Sequence, residues 1–339
     1  MPDTLRSEED FLALIDECFP TAHPDLAIPR GDDCALVRSP ADLLISTDIF
    51  LENVHFRRSY FSAGDIGHKA LAVNLSDMAA MGGRPLTFSL GLTTPPGLPR
   101  SFFAELFAAM AGLADQHGAF LSGGDLSRGD ALSLCITILG TPAPGGQVLR
   151  RGQCRPGDLL LVLGRPGLAR AGLLALEADP ADAARDFPTA VAAHLRPRAL
   201  VDEGLKLAAL PGVRGAMDVS DGLARDLPRF LGPKLGACLA LPPHFLHPEI
   251  EIFCRKTGVL PDKTGASPAS PGVLPAETFA LLGGEDYALL AAVDPDHAPA
   301  VLAALPRALP IGQVAAKPDL ILHGQPLNLA GFDHFSNGN

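Results

Sequence analysis

Apolar runs of strand length that end on aspartate restrict the fold of this chain more than any other feature. The run LLISTDIF carries Asp48 near its end, and a second run leads into MDVSDGL with Asp218 and Asp221. A buried strand that turns polar at its C-terminal end delivers such side chains to the rim of a sheet. Ionised carboxylates are almost never fully buried without a partner. The pattern predicts α/β structure with carboxylates grouped at sheet edges.

Further aspartates lie between and before these runs. They are Asp32 and Asp33 in GDDCALV, Asp77 in NLSDMAAMG and Asp125 in SGGDLSRGD. Too few lysines and arginines lie near these motifs to pair with all the carboxylates, so divalent cations are the expected partners. Sites of carboxylates and hydroxyls suit Mg²⁺, whose coordination is often completed by substrate phosphates. The sequence therefore indicates metal-assisted chemistry on phosphates.

Length and charge narrow the class of protein. A chain of 339 residues exceeds what one hydrophobic core usually supports, so two domains are expected. The net charge of −11 argues against nucleic acid as a partner, because that affinity depends on lysine and arginine. Small phosphorylated ligands remain compatible with this charge if metal ions supply the positive charge.

Cysteine usage and the N-terminus indicate the compartment. The six cysteines include no CxxC pair, and the segment MPDTLRSEED lacks the basic and apolar regions of a signal peptide. Prolines, glycines and charges interrupt every apolar stretch before it reaches the roughly 18 to 20 residues of a membrane span. We expect a soluble cytoplasmic protein with reduced thiols and no membrane partner.

The N-terminal half alternates helix and strand signals. Apolar spacing predicts a helix over 7–19 behind a Ser7 cap, a mostly buried strand over 42–50, a helix over 64–81 and a helix over about 101–116. Gly82, Gly83 and Pro85 stop the third of these elements. The SGGD segment is expected as a turn before the strand ALSLCITILG.

A segment rich in proline, glycine and arginine, 141–158, predicts the domain boundary, giving domains 1–148 and 149–339. Downstream the pattern restarts with a strand DLLLVLG, helices around 168–177 and 198–209, a strand into MDVSD, a helix GLARDLPRFLG and a strand EDYALLAAV. Residues 257–276 have the composition of a surface loop or insertion, and no chemistry is assigned to them.

The individual motifs have ordinary structural interpretations as well as functional ones. GxxxxGK[ST] is absent, and no GxGxxG follows a strand. The segments GGD and GDD fit simple turns, although glycines also allow a backbone to approach a phosphate. In DVSDGL, Ser220 fits an N-cap, but a helix N-terminus also binds phosphate.

Other candidate residues are equally open when taken singly. His55 fits a structural histidine, Glu285 and Asp286 could simply open the strand YALLAAV, and Arg150 and Arg151 could be solvated linker charges. Asp77 is harder to explain structurally, because it shares a face with Asn74 on an otherwise apolar helix.

The order of the motifs resembles that of thiamine-monophosphate kinases. The matching segments span residues 31–335 and are GDDCALV, STD, HF, NLSDMAAMG, GGD, RRGQCRPGD, PR at 197–198, DVSDGLARDL, GGEDY and GFDHF. This family is grouped with aminoimidazole-ribonucleotide synthetase and selenophosphate synthetase. The resemblance implies an α/β (α+β) fold of two mixed α/β domains, and a homodimer in which N-terminal strands complete a shared β-barrel. It also implies ATP as phosphoryl donor and thiamine monophosphate as acceptor.

The resemblance assigns roles to individual residues. It implies that the magnesium ligands are Asp32, Ser46, Thr47, Asp48, Asp77, Asp125, Asp218 and Asp221, with Asp33 as a second choice. It assigns Gly124, Asp125, Arg151 and Ser220 to ATP, and His55, Glu285 and Phe332 to thiamine monophosphate. The chain departs from the family pattern in RPGLARAGL, where a polar turn with aspartate and serine is usual, and at Ala288, where glutamate is usual.

The implied reaction is an in-line phosphoryl transfer that gives thiamine diphosphate and ADP. Both reactants are polyanions, and two unit charges at about 4 Å repel by roughly 4 kcal/mol at an effective dielectric of about 20. Several Mg²⁺ ions would offset this repulsion. The acceptor phosphate is already an oxyanion near neutral pH, since its second pKa is about 6. No catalytic residue beyond the metal ligands is expected.

Two other readings are compatible with parts of the pattern. Another ATP-dependent synthetase of the same superfamily is one alternative, although the reactive N-terminal cysteine of selenophosphate synthetases and the terminal cysteine of the carbamoyl-processing members are missing. A non-catalytic nucleotide- or thiamine-binding relative is the other, against which the intact aspartate set argues.

Overall fold

The computed structural model describes residues 8–28, 36–39, 42–258 and 275–327. Backbone contacts divide the chain into a first unit, Met1–Met78 with Gly83–Pro142, and a second unit, Ala79–Gly82 with Ala143–Asn339. Each unit combines helices with a sheet, which confirms the mixed α/β class. The predicted residues Asp32, Asp33 and Phe332 lie outside the described residues.

The first unit contains a four-stranded sheet. Its elements are α1 (Glu8–Cys18), β1 (Leu26–Ile28), β2 (Leu36–Val37), β3 (Leu44–Leu51), α2 (Ala63–Ala80, whose last two residues belong to the second unit), β4 (Gly83–Thr94), α3 (Arg100–Gln116), β5 (Phe120–Arg128) and β6 (Ser133–Pro142). The sheet order is β3-β6-β4-β5, and β1 and β2 form a separate pair. Only β4 and β5 are parallel within the sheet, while β6 is antiparallel to both of its neighbours.

The two faces of this sheet differ in their environment. Phe88 and Ile136 point to a buried face, where Phe88 contacts Phe19 and Phe19 in turn contacts Phe107 of α3. Strand β3 alternates, so that Ile45 and Ile49 point to the other face and expose 64% and 55% of their surface. One side of the sheet is therefore part of the core and the other meets solvent.

The predicted helices and strands of the first unit are confirmed, with one exception. The SGGD segment is not a turn but part of β5. A Cβ at Gly124 would lie 1.9 Å from the backbone oxygen of Leu90, so only glycine allows β5 to approach β4 this closely. Glycine allows close strand pairing here, whereas the sequence analysis interpreted the same glycines as a turn.

The second unit contains a seven-stranded sheet of order β13-β12-β9-β11-β7-β10-β8. Its strands are β7 (Leu159–Leu163), β8 (Val213–Val219), β9 (Gly236–Leu239), β10 (Ala288–Val293), β11 (Leu309–Ala315), β12 (Leu320–Leu322) and β13 (Gln325–Pro326). Its helices are α4 (Leu168–Ala178), α5 (Pro180–Asp186), α6 (Pro188–Leu195), α7 (Val201–Ala209), α8 (Leu223–Leu231), α9 (Pro248–Thr257), α10 (Pro275–Leu282) and α11 (Ala298–Ala304). Strand β10 is buried along its whole length between β7 and β8.

The predicted strands and helices of the second unit are confirmed, but the strand expected over EDYALLAAV begins only at Ala288. Glu285 and Tyr287 have φ values of 64° and 49°, and this left-handed backbone cannot continue a ladder. The elements of this unit that were not predicted are helices α5, α6, α9, α10 and α11 and strands β9, β11, β12 and β13. Across the described residues, no helix is long and apolar enough to cross a membrane.

Candidate functional site

Three predicted metal ligands, two carboxylates and one hydroxyl, meet in the first unit, where α2 approaches β3. Ser46 and Asp48 lie on the same face of β3, and the Ser46 hydroxyl donates a hydrogen bond to the Asp77 carboxylate. Burial, the negative charge of Asp77 and a hydrogen bond with it together raise the pKa of Asp48 to about 6. Two carboxyl groups thus share one partly buried place. We call Ser46, Asp48 and Asp77 the acidic cluster.

The chemistry of the acidic cluster fits magnesium. Its donors are all oxygen atoms, from two carboxylates and one hydroxyl, which are ligands that Mg²⁺ prefers. The raised pKa of Asp48 reflects its burial and then the neighbouring charge of Asp77, and a bound divalent cation would compensate for both. Within the described residues, however, no group of three or more His, Cys, Asp and Glu side chains is arranged to hold a metal ion.

Two other predicted ligands of the first unit lie away from the acidic cluster. Thr47 points to the exposed face of β3, where its hydroxyl lies 2.9 Å from that of Thr137. Asp125 lies on β5, at the opposite edge of the sheet from β3, and pairs in register with Gly91 of β4. Its carboxylate accepts a 3.3 Å hydrogen bond from the Ser127 hydroxyl. The fold of this unit does not bring Thr47 or Asp125 to Asp48 and Asp77.

His55 lies in a turn directly after β3. The Leu51 N–H donates to His55 Nδ1 at 3.0 Å, and the His55 N–H donates to the Leu51 oxygen at 2.9 Å. Its ring stacks on Phe50 with 5.8 Å between centroids. The backbone bond fixes Nδ1 as an acceptor and holds the ring in one orientation. His55 is therefore pre-oriented and half-buried.

In the second unit, the DVSD motif forms a turn between β8 and α8. Asp218 is the next-to-last residue of β8 and is buried, with 5% of its surface exposed. The N–H groups of Ser220 and Asp221 donate to the Asp226 carboxylate at 3.0 and 2.9 Å. The N-cap of α8 is Gly222, with φ 103°, so the structural alternative of Ser220 as N-cap is wrong. Asp226, one turn inside the helix, organises this turn instead.

Asp221 has cationic neighbours that the sequence reading did not foresee. The Arg229 guanidinium lies 2.7 Å from its carboxylate, and that of Arg225 lies 3.7 Å away. A helix brings residues four and eight positions later to one side, so these arginines reach back to the turn. Asp221 is therefore paired with arginines, although we expected too few lysines and arginines near the motifs to pair with all of the carboxylates.

Glu285 is held against the same turn by its backbone. Its N–H donates to the Ser220 oxygen at 2.7 Å, and the Tyr287 N–H donates to the Val219 oxygen at 3.0 Å. A Cβ at Gly284 would lie 2.8 Å from the Ser220 oxygen, so the GGEDY segment needs glycine there. The Glu285 carboxylate lies 3.2 Å from Nδ1 of His194 on α6. Left-handed non-glycine residues of this kind concentrate at functional sites.

Asp286 anchors the segment before α4. Its carboxyl group accepts hydrogen bonds from the N–H groups of Gly167 at 2.6 Å and Ala169 at 2.9 Å. Burial raises the pKa of Asp286 to about 7, although these N–H groups oppose the shift. Asp286 thus joins the GGEDY segment to the atypical loop RPGLARAGL.

The remaining predicted ATP residues are exposed. Arg151 lies in the loop after the first unit, where the neighbouring Gly152 N–H donates to the Phe230 oxygen at 2.8 Å. Gly124 is exposed on β5. The sequence reading missed His194, Asp226 and the anchoring role of Asp286. For Asp226, the position of an acid five residues after Asp221 at a helix start was an available signal, whereas nothing local links His194 to Glu285.

The fold, with these carboxylate-rich turns, places the chain in the class of AIR synthase related proteins. Models of two families match, AIR synthase related protein, N-terminal domain, over residues 31–141 and AIR synthase related protein, C-terminal domain, over residues 155–325. The thiamine-monophosphate kinase of Escherichia coli K12 is 35% identical and is matched over 92% of this chain and 93% of its own. That of Prochlorococcus marinus is 32% identical over 90% of each. The chain belongs to the thiamine-monophosphate kinase family.

Solved structures agree with this placement. The thiamine-monophosphate kinase of Stenotrophomonas maltophilia superposes with a TM-score of 0.74 at 31% identity, covering 90% of this chain and 93% of that one. A structure described as AaThiL complexed with AMPPCP and TMP superposes with a TM-score of 0.71 at 25% identity, covering 98% and 99%. The hydrogenase maturation protein HypE of E. coli, at 23% identity and a TM-score of 0.75, shares the fold.

Proposed function

We propose that this protein transfers the γ-phosphoryl group of ATP to thiamine monophosphate, giving thiamine diphosphate and ADP. The reaction makes it a phosphotransferase with a phosphate group as acceptor. Named relatives that match over about nine-tenths of the chain, and a related structure holding an ATP analogue together with TMP, support this function. The observation that carries it within this chain is the contact between Asp48 and Asp77 with Ser46 fixing one of them.

The acidic cluster is suited to hold Mg²⁺ through Asp48, Asp77 and Ser46. Bound there, the metal would supply positive charge against the phosphates of both reactants. Ser46 donates to Asp77 and so fixes the direction in which that carboxylate presents its oxygens. We propose Asp32, Asp33, Thr47, Asp125, Asp218 and Asp221 as further magnesium ligands on the family pattern.

The acceptor needs no protein base. A phosphate monoester loses its second proton with a pKa of about 6, so the attacking oxygen is ionised at neutral pH. The protein then has to hold the acceptor phosphate in line with the γ-phosphoryl group of ATP. Side chains that bind and orient, rather than a proton acceptor, are the expected contributors to rate.

The substrate contacts follow the family pattern. We assign Gly124, Asp125, Arg151 and Ser220 to ATP, and His55, Glu285 and Phe332 to thiamine monophosphate. The exposed Arg151 can meet phosphate oxygens directly. His55 and Glu285 are both held by backbone hydrogen bonds, which reduces the entropy lost when a ligand binds.

We propose a cytoplasmic homodimer whose domains are 1–148 and 149–339. The exposed isoleucines of β3, and the free backbone edge of β3 among the described strands, support strand pairing between two copies. A β-barrel shared by the two N-terminal sheets would cover this face.

The direct test incubates the purified protein with ATP, MgCl₂ and thiamine monophosphate. Thiamine diphosphate is measured as its fluorescent thiochrome derivative, and ADP by a coupled assay. We expect both products in equal amounts, and none with EDTA or with thiamine as the acceptor. ATP binding without either product would identify a non-catalytic relative. ADP formation only with another acceptor would identify a different synthetase of the superfamily.

A further inference from the structure

The backbone of Glu285 leaves its side chain little choice of direction. The residue has φ 64°, and its N–H is bound to the Ser220 oxygen at 2.7 Å. Next to it, the two glycines of the GGEDY segment pack against other loops, since a Cβ at Gly283 would lie 2.4 Å from Gly167 Cα. The Cα–Cβ bond of Glu285 is thereby fixed, and only the outer torsions of the side chain remain to be set.

His194 sets them. Its Nδ1 lies 3.2 Å from a carboxylate oxygen of Glu285, and its side chain is only 1% exposed, whereas that of Glu285 is 26% exposed. The imidazole ring in this contact is buried, whereas the carboxylate that it contacts is partly exposed to solvent. This is the arrangement of an outer residue that orients a ligand-binding group.

Helix α6 gives His194 a rigid base. A Cβ at Gly172 of α4 would lie 2.0 Å from the Ala190 oxygen of α6, so the two helices cross at backbone contact. At the start of α6, the Glu249 carboxylate accepts hydrogen bonds from the Thr189 and Ala190 N–H groups at 3.1 and 2.8 Å. The first turn of the helix that carries His194 is therefore held by two independent contacts.

We infer that His194 is a positioning residue that holds the Glu285 carboxylate in the direction required to bind the amino group of the aminopyrimidine ring of thiamine monophosphate. This inference rests on the proposed function. The His194 Nδ1–H donates to one carboxylate oxygen, and the exposed part of the carboxylate accepts from the ligand. Without His194, the Glu285 side chain loses conformational freedom each time the acceptor binds. The affinity for thiamine monophosphate therefore falls, while the affinity for ATP is unchanged.

Three variants test the inference by steady-state kinetics with each substrate varied in turn. His194→Ala is expected to raise KM for thiamine monophosphate about tenfold, the worth of one hydrogen bond to a charged group, with KM for ATP unchanged. His194→Asn is expected to return KM to within about threefold of wild type, because its amide nitrogen can occupy the place of Nδ1. His194→Gln, whose amide reaches further, serves as the matched control without rescue.

A double substitution separates positioning from packing. In a Glu285→Ala background, His194→Ala is expected to change KM for thiamine monophosphate no further, since the group that it orients is gone. An equal rise in KM for both substrates, or a rise that persists without Glu285, would show that His194 only supports the fold. Failure of His194→Asn to rescue a folded protein would overturn the inference as well.

Histidine NMR of the wild-type protein measures the contact without any substitution. With ¹⁵N-labelled histidine, the His194 Nδ1 signal is expected to shift when thiamine monophosphate is added and to stay in place with ATP alone. A signal that ignores thiamine monophosphate would contradict the inference while leaving the kinase activity established. If the wild-type protein does not phosphorylate thiamine monophosphate at all, the proposed function and this inference fall together.

Discussion

At the scale of single residues, the carboxyl groups of Asp48 and Asp77 give the strongest indication of a metal site. Asp48 and Asp77 share one partly buried place, and the pKa of Asp48 rises to about 6 because burial and its neighbour disfavour the charge. A protein that only needed a stable fold would gain from removing one of the two charges. Their contact is therefore a cost to stability that a metal ion would offset.

Replacing Asp48 separates these effects. Asp48→Asn keeps the shape and can donate a hydrogen bond to Asp77, but it removes one negative charge. Turnover is expected to fall by about 100-fold or more, beyond the range for outer partners of metal ligands. The melting temperature without Mg²⁺ is expected to rise, because the repulsion is relieved. Calorimetry with and without MgCl₂, together with the thiochrome assay, measures both effects.

The control is Asp130→Asn, at an exposed position between β5 and β6. It should leave turnover and both melting temperatures unchanged. If Asp48→Asn kept activity within a few-fold of wild type, or responded to MgCl₂ as wild type does, Asp48 would not be a metal ligand.

Asp286 gives a dependence of stability on pH. Its folded pKa of about 7 lies above the ordinary value of 3.8, because burial disfavours the charged form. Between about pH 4 and pH 7 the group is protonated in the folded protein and ionised in the unfolded one, so unfolding releases a proton. The stability contributed by this group is complete below pH 4 and is lost as the pH rises to 7.

The difference in free energy of unfolding between wild type and Asp286→Asn isolates this contribution, since other titrating groups cancel. It should decline from pH 4.5 to pH 7.5 by up to about 1.4 kcal/mol per pH unit, with a total below about 4 kcal/mol because Asp286 is half-buried rather than fully buried. Urea unfolding at several pH values measures it. A difference that stays constant with pH would show that Asp286 is not buried in its neutral form.

At the scale of elements, close helix crossings determine how the first unit packs. Gly67 of α2 lies against α3, where an added Cβ would be 2.0 Å from the Leu106 oxygen, whereas a Cβ at Gly112 of α3 would meet nothing within 4 Å. Gly67→Ala must separate the helices and should cost about 1–3 kcal/mol. Gly112→Ala should stabilise by about 0.5–1 kcal/mol, because alanine favours an exposed helix interior.

Urea unfolding of both variants checks this pair of expectations. Both substitutions add a methyl group to a glycine inside a helix. Opposite changes in the free energy of unfolding would therefore reflect the contact of α2 with α3 at Gly67. Equal effects of the two substitutions would show that α2 and α3 are not in backbone contact at Gly67.

Elements with a strong local pattern were predictable from the sequence, and contacts between distant segments were not. The apolar spacing of α2 and its stop at Gly82 fixed that helix to within a residue, and the strand that holds Ser46 and Asp48 was found as well. The SGGD segment was misread, because the glycines that suggest a turn serve strand pairing. Whether two aspartates lie close together depends on the register of the strands and on the sheet face to which each side chain points. Local sequence does not determine either of these.

The approach of His194 to Glu285 shows the same limit at greater distance. Ninety-one positions of the chain separate these two residues, and contacts between distant segments, among them the packing of α6 against α4 and the bond of Glu285 N–H to the Ser220 oxygen, hold them in place. Neither residue carries a local signal for the other. Family resemblance supplied the role of Glu285, whereas the geometry alone supplied His194.

At the scale of the whole molecule, the open face of the first sheet is the surface through which we propose that two copies associate. Ile45 and Ile49 alternate with Thr47 on β3 and lie opposite Leu139 and Cys135 of β6 in the ladder. Side chains of paired residues point to the same face, so these positions form one surface with a strongly exposed apolar row at its edge. Such a surface lies next to the edge of β3 that pairs with no other described strand, and this favours association with a second copy.

Charges on this face test the proposed dimer. The double substitution Ile45→Glu with Ile49→Glu places two carboxylates where the second copy would pack, and burying an unpaired charge is prohibitive. We expect sedimentation velocity at micromolar concentration to show a dimer for wild type and a monomer for this variant. The control Val54→Glu changes a residue that is 60% exposed but lies in the turn after β3, and it should stay dimeric. A wild-type monomer, or a variant that dimerises as wild type does, would remove this face from the interface.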